Sequence, residues 1–171
     1  MLRLLSLQLV SALALLAQSH QLDMTAGYNY QNSDQGQGIR ASLHGWFADL
    51  QYDLTEHLAV TAEVDSYYGH SQGESLRQQN FVVGPQFTFR NEEARLRPFI
   101  YVQSGVQRSS SAETITHSFN LQMGGGLEIK LLDRIHFQIT PAEYNFALVS
   151  GTPAHSYGVK TALIWTLWKQ N

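Results

Sequence analysis

Apolar residues alternate with small or polar residues along most of the chain, and the alternation has a period of two. It is clearest over residues 58–65, 81–90, 119–130 and 157–167. Successive side chains of a β-strand point to opposite faces, so this period predicts strands that have one apolar and one polar face. From residue 22 onward no stretch has the periodicity of a helix, and the chain is predicted to be all-β.

Eight segments of this kind are separated by turn-like clusters. They predict strands over residues 22–31, 39–53, 58–68, 80–90, 97–107, 118–131, 134–146 and 156–168. The connections alternate in length, because those at 32–38, 69–79, 108–117 and 147–156 are long and polar whereas the three between them are tight. An even strand number with one long-looped rim predicts an eight-stranded antiparallel up-and-down transmembrane β-barrel, with both termini at the short rim.

The polar faces of the strands predict what fills the barrel. If the apolar faces contact lipid, the polar faces point into a lumen that in an eight-stranded barrel is only wide enough for side chains. Because an unpaired charge is costly there, we expect the two glutamates of the interior to pair with Arg90 and Lys160 and to plug the barrel. The predicted lumenal polar cluster is Glu63, Asp65, Arg90, Glu128 and Lys160, with Asp49 and Lys130 pointing the same way.

Aromatic residues are frequent near the ends of the predicted strands. Amphipathic rings favour the headgroup level of a bilayer, so two aromatic girdles are expected. In the last strand Trp165 and Leu167 fall on the lipid-facing side, which leaves Trp168 at the rim. The residues assigned to the girdles are Tyr28, Tyr30, Trp46, Tyr52, Tyr67, Tyr68, Phe87, Phe89, Phe99, Tyr101, Phe119, Tyr144, Phe146, Tyr157, Trp165 and Trp168.

Two strands have less regular faces. In the seventh, Pro141 cannot donate a ladder hydrogen bond, and a bulge at this point would turn Glu143 and Asn145 inward. In the fifth, "FIYVQSGV" allows either Phe99 with Tyr101 or the residues between them to face outward, so the phase stays open.

Three consecutive glycines in "NLQMGGGLEIKL" first suggest a loop that cradles a phosphate. The strand-to-helix context of such a loop is missing, however, and the triplet continues the sixth strand. Gly124 and Gly126 then lie on the inward face, where their missing side chains are expected to make room for a lumenal residue such as Arg90 or Tyr67.

The first residues differ in composition and pattern from the rest of the chain. "MLRLLSLQLVSALALLAQSHQ" has a basic residue, Arg3, then an apolar stretch and small residues that fit a cleavage site before His20. This pattern predicts a signal peptide over residues 1–19 and a barrel domain over residues 20–171. The net charge of −3 lacks the basic excess that nucleic-acid binding needs, and the chain has no cysteine, which excludes disulfides and thiolate metal sites.

The strand segments resemble those of a known family. "NFVVGPQFTFR", "NEEARLRPFIYVQSGVQ", "FNLQMGGGLEIKLLDRIHFQITPAEYNF" and "SYGVKTALIWTLW" are similar to the small eight-stranded bacterial outer-membrane β-barrels, typified by the OmpA membrane domain, OmpX and the opacity-like proteins. The resemblance implies an outer-membrane, porin-like barrel that is monomeric and has no cofactor. It also implies contact with outer-membrane lipids and lipopolysaccharide, biogenesis through periplasmic chaperones and the barrel-assembly machinery, and a structural or surface-interaction role through four outer loops with an unknown surface ligand.

Two other classes of protein are alternatives to this one. A soluble exported lipocalin-like barrel would turn its apolar face inward around a small molecule. A lipid-modifying outer-membrane enzyme would need a serine nucleophile and a histidine base, but in His117–Ser118 and His155–Ser156 adjacent side chains point to opposite faces. The histidines at 70, 117 and 155 lack the local spacing of metal ligands, so no catalytic, cofactor or metal site is expected.

Overall fold

The computed structural model describes residues 21–35, 39–71, 73–90, 94–111, 114–149 and 151–169, so the predicted signal peptide lies outside the described residues. The described chain forms eight strands, each antiparallel to the next, and β1 pairs with β8 to close a barrel. This confirms the predicted fold class. Within these residues no helix is long and apolar enough to cross a membrane. The strands are β1 Gln21–Asp34, β2 Arg40–Asp53, β3 Leu58–Ser71, β4 Glu74–Thr88, β5 Leu96–Ser111, β6 Thr114–Leu132, β7 Ile135–Val149 and β8 Thr152–Lys169.

The two ends of the barrel are built differently. The hairpin rim is the end where β1–β2, β3–β4, β5–β6 and β7–β8 are connected. The terminal rim carries the other three connections together with Gln21 and Lys169, which face each other where β1 meets β8.

Apolar side chains face outward and polar side chains fill the interior. Val60, Phe81 and Ile100 remain 38%, 52% and 57% exposed, whereas Asn29 and Gln122 are completely buried. A barrel that faces lipid requires this arrangement, because its outer surface meets hydrocarbon. The lipocalin-like alternative requires the reverse and is therefore wrong.

The faces of the two irregular strands are now defined. In β7 the register with β8 shifts between Thr140 and Glu143, which confirms the predicted bulge and turns Glu143 and Asn145 inward. In β5, Phe99 and Tyr101 are buried in the lumen. Their inward orientation settles the phase that the sequence pattern left open.

The hairpin rim corrects the predicted loops. Residues 69–79, 108–117 and 147–156 largely continue the strands, and the ladders run to Ser71 opposite Glu74 and to Val149 opposite Thr152. Gly73 and Gly151 lie beside these strand ends and have φ of +87° and +82°, a left-handed region that favours glycine. The apolar–polar alternation stops before the strands end because the outward face there carries polar residues such as Arg77 and His155, while Gln78 and Ser156 remain buried inside.

The glycine triplet lies in β6 with the predicted phase, but it makes room for different residues. A Cβ on Gly124 would lie 2.7 Å from the Tyr101 hydroxyl oxygen, and one on Gly126 would lie 3.0 Å from Phe99 Cζ. The expectation of Arg90 or Tyr67 was wrong. Phe99 and Tyr101 stand directly opposite Gly126 and Gly124 in the β5–β6 ladder, and their rings stack with an interplanar angle of 13°.

The aromatic girdles are also smaller than predicted. Tyr67, Phe99 and Tyr101 are buried in the lumen and do not belong to them. On the outer surface, Tyr28 and Tyr144 each place their hydroxyl oxygen 2.5 Å from a histidine Nδ1, that of His44 and His155 respectively. The exposed aromatic residues include Tyr28, Trp46, Tyr52, Tyr68, Phe87, Phe89, Phe119, Tyr157 and Trp168.

Candidate functional site

A cluster of buried charges occupies the middle of the lumen. The Lys160 ammonium group lies 2.6 Å from a Glu63 carboxylate oxygen, 3.0 Å from Asp65 and 2.7 Å from Glu143. All four side chains are buried. β8 supplies the cation, β3 supplies two carboxylates and β7 the third. The ion pairs therefore join β8 to its neighbour β7 and, across the lumen, to β3.

Amide side chains complete the coordination of these carboxylates. Gln122 Nε2 donates to Glu63 at 2.6 Å and to Glu143 at 3.1 Å. Asn29 Nδ2 donates to Asp65 at 2.9 Å. Each carboxylate therefore has at least one neutral donor besides the shared ammonium group, which reduces the cost of placing three acids around one base.

Aromatic side chains enclose the same cluster. The Lys160 ammonium lies 4.8 Å from the centroid of the Phe47 ring, within the range of a cation–π contact. The Tyr101 hydroxyl donates to Glu143, and Tyr67 OH lies 3.5 Å from Asp65. Rings and charges together fill the lumen at this level.

A second polar network lies nearer the terminal rim, and it holds the other two residues of the predicted cluster. Arg90 forms an ion pair with Asp53. Gln86 Nε2 donates to Glu128 at 3.4 Å and to Gln51 at 2.9 Å. The structure therefore brings Glu63, Asp65 and Lys160 together but holds Arg90 and Glu128 apart from them.

The expected pairing of the glutamates with Arg90 and Lys160 needs a correction. Among the described residues Lys160 pairs with Glu63 but not with Glu128, and the ion-pair partner of Arg90 is Asp53. The positions along the strands explain this result. Strand alternation reveals which face a charge occupies, but its level in the lumen depends on the stagger between strands.

The part of the lumen nearer the hairpin rim is apolar and amide-rich. Ala41, Leu43, Tyr67 and Leu76 form one buried apolar cluster there. Beside this cluster, hydrogen bonds join buried pairs from different strands, namely Ser33 to Gln78 at 3.3 Å and Asn145 to Gln31 at 3.3 Å. Side chains thus extend from one end of the barrel interior to the other.

The histidine–serine pairs are split between the two faces. His117 and His155 are exposed on the outside, whereas Ser118 and Ser156 are buried in the lumen. Neither pair can act as a nucleophile with its base in this arrangement. Among the described residues, no group of three or more His, Asp or Glu side chains is placed to hold a metal ion.

Sequence reasoning missed several members of the central cluster. Glu143 was placed inward by the bulge but was not assigned to the cluster, although it contacts Lys160 directly. The inward positions of Phe47 and Tyr67 carried a weaker signal, because an aromatic ring in a strand suits either face. The strand alternation could have placed Tyr67 inside, because every second residue of β3 points the same way and Tyr67 follows Glu63 and Asp65 in that row.

A closed eight-stranded barrel with an apolar exterior and a polar, side-chain-filled interior defines a class of protein, the small transmembrane β-barrels. Residues 2–161 match the family model of the outer membrane protein beta-barrel domain. The chain belongs to this family and is an outer-membrane protein. None of the curated protein sequences matches it significantly.

Solved structures show the same fold at low sequence identity. Neisserial surface protein A is 12% identical with a TM-score of 0.67, and the match covers 86% of this chain and 97% of that one. Ail of Yersinia pestis, solved in complex with the heparin analogue sucrose octasulfate, is 11% identical with a TM-score of 0.58, covering 85% and 99%. The N-terminal barrel of Pseudomonas aeruginosa OprF is 13% identical with a TM-score of 0.57, covering 86% and 100%.

Proposed function

We propose that this barrel is not a channel or an enzyme but a structural or surface-interaction protein that acts through its outer hairpins. The buried cluster of Lys160 with Glu63, Asp65 and Glu143 supports this proposal most directly. Buried ion pairs at the centre of a narrow lumen leave little room for a solute. The separation of both histidine–serine pairs argues against the lipid-modifying enzyme.

The hairpin rim offers the features that surface recognition needs. Its strands extend beyond the alternating apolar pattern, and exposed arginines accompany them. Arg77 stacks over Tyr68 at 5.4 Å and Arg40 over Tyr157 at 5.7 Å, measured to the ring centroids. In Ail the same fold occurs with a sulfated heparin analogue, so a rigid barrel with exposed cations is compatible with an anionic surface ligand.

The outer surface also determines the immediate environment of the barrel. Exposed apolar side chains between the two aromatic regions suit contact with outer-membrane lipids and lipopolysaccharide. Assembly through periplasmic chaperones and the barrel-assembly machinery, and a monomeric final state, are part of the same proposal.

Purified barrels in planar bilayers are expected to show no large, stable single-channel current, because the central cluster fills the lumen. The measurement is single-channel recording with wild-type protein. The positive control is Lys160→Ala combined with Glu63→Ala, which removes side-chain volume at the level of the central cluster and should raise the frequency of openings. Stable conductance of the wild type would refute the plugged lumen.

The orientation can be tested with epitope insertions at the two rims. A tag inserted after Ser111, at the hairpin rim, should be labelled by antibody on intact cells. A matched tag inserted after Asp133, in the β6–β7 turn, should be labelled only in permeabilised cells. The reverse pattern would overturn the proposed orientation, and recovery of the protein in the soluble periplasmic fraction would overturn the whole proposal.

A further inference from the structure

The terminal rim holds a cavity with a strongly basic lining. It has a volume of about 370 Å³ and lies where β5, β6, β7 and β8 end. Arg97, Lys130, Arg134 and Lys169 line it together with a single acid, Asp133. Four cations against one anion in a small concave space create a positive potential that favours an anion.

A bulge in β8 turns one of these cationic residues, Lys169, toward the cavity. In β8 the register with β1 shifts around Leu167, so Lys169 faces the buried Gln21 in the inward row while Trp168 stays exposed outside. Without this shift Lys169 would share the lipid-facing phase of Leu167. In β6 a second shift between Lys130 and Leu132 accompanies the turn into β7. Bulges at barrel rims commonly re-aim a side chain in this way.

Among the described residues, three of the four cations of the cavity lack a close ion pair, although Arg97 stands opposite the buried Glu128 in the β5–β6 ladder. Lys130 donates to Asp133 at 2.9 Å, and this contact lowers the pKa of the exposed Asp133 carboxyl. Within the described part of the chain, Arg97, Arg134 and Lys169 form no ion pair. Arg97 Nε is buried without a hydrogen-bond partner. Since a buried donor left unpaired is costly, an acceptor from outside would stabilise this arrangement.

The neighbouring surface indicates what kind of molecule brings that acceptor. Leu167 and Trp168 also line the cavity, and they are 51% and 49% exposed. An exposed tryptophan beside cations is typical of the level where headgroups meet acyl chains. Arginine offers a fork of N–H donors that matches phosphate oxygens.

We propose that the cavity at the terminal rim binds the phosphate of an anionic phospholipid headgroup, whose acyl chains then lie along Leu167 and Trp168. Arg97 and Lys169 contact the phosphate from two sides, and Lys130 and Arg134 add positive charge around it. Inorganic phosphate shares the recognised group but cannot contact Trp168, so the two sources can be told apart.

The test uses the full barrel in zwitterionic micelles at low ionic strength. Calorimetric titration with dioctanoyl phosphatidylglycerol is expected to give affinity at least about 10-fold higher than with dioctanoyl phosphatidylcholine, because only the first carries a net negative charge. Arg97→Gln and Lys169→Gln should each weaken phosphatidylglycerol binding by about 5- to 10-fold, the loss of one charge-assisted contact. The matched control is Arg108→Gln, an exposed arginine near the hairpin rim, and it should leave the affinity unchanged.

Two further arms separate the source of the phosphate. Trp168→Ala should weaken phosphatidylglycerol binding while leaving inorganic phosphate binding unchanged, which supports a lipid site. Competition by inorganic phosphate at similar concentration, with no effect of Trp168→Ala, would overturn the lipid assignment in favour of a soluble anion. Equal affinity for the two lipids, or equal effects of Arg97→Gln and Arg108→Gln, would overturn the site. Heat-modifiable gel migration verifies that each variant is folded. Lys169→Gln is expected to disturb the fold least, because Lys169 is the last residue of β8.

Discussion

Lys160→Met is expected to lower the free energy of unfolding by about 3–5 kcal/mol, the range typical of breaking a buried ion pair from one side. Methionine keeps an unbranched side chain of similar volume, one atom shorter, but removes the charge that Glu63, Asp65 and Glu143 share. Urea unfolding in micelles, followed by tryptophan fluorescence and heat-modifiable migration, measures the change. Acidification should restore part of the lost stability, because a protonated carboxyl group no longer needs the ammonium.

Two comparisons make this prediction specific. Lys130→Met removes a lysine whose partner Asp133 is exposed, and it should change stability by less than about 1 kcal/mol. Adding Glu63→Gln to Lys160→Met should cost less than the sum of the single changes, whereas Glu128→Gln should add independently. Coupling of Lys160 to Glu128 in place of Glu63 would contradict the observed ion pairs.

Gly126→Ala is expected to destabilise the barrel by about 3 kcal/mol, at the upper end of overpacking costs. A Cβ at this position would lie 1.9 Å from the Ile139 carbonyl oxygen, which belongs to the backbone of the paired strand β7. That oxygen cannot move without disturbing the ladder beside the β7 bulge. The same unfolding measurement applies.

Gly124→Ala provides the matched control, two residues away on the same face. Its Cβ would meet the end of the Tyr101 side chain at 2.7 Å, and the nearest backbone atom lies at 3.1 Å. A ring can tilt where a carbonyl cannot, so the expected loss is about 1 kcal/mol. Equal losses at the two glycines would mean that side-chain crowding, and not the backbone of β7, limits this strand.

Alternation alone was enough to predict the strands and most of their faces. Each residue between 58 and 65 is assigned correctly, because a single lipid-facing surface imposes the period of two on the whole strand. The β7 bulge was also predictable, because Pro141 has no backbone N–H and cannot donate a hydrogen bond to the neighbouring strand. Features that depend on one strand and one bilayer are therefore visible in the sequence.

Features that depend on several strands were not visible. The partners of Lys160 lie 97, 95 and 17 positions away, and which carboxylates reach it depends on the stagger of strands that only closure defines. The hairpin ends are predicted as loops because their outward residues are polar, which removes the apolar–polar pattern while the ladder continues. Phe99 and Tyr101 can point inward because the glycines opposite them in β6 leave space for their rings. This pairing between β5 and β6 cannot be predicted from either strand alone.

The central cluster also constrains the order of events during biogenesis. Glu63 and Asp65 arrive with β3, while Lys160 arrives with the last strand, and their attraction is realised only when β8 reaches β1. An unclosed sheet would hold Glu63 and Asp65 away from their cation, and its penetration into hydrocarbon would be opposed by the hydration of these two acids. Closure and charge neutralisation are therefore one event, which makes insertion of this barrel cooperative and leaves partly inserted intermediates thinly populated.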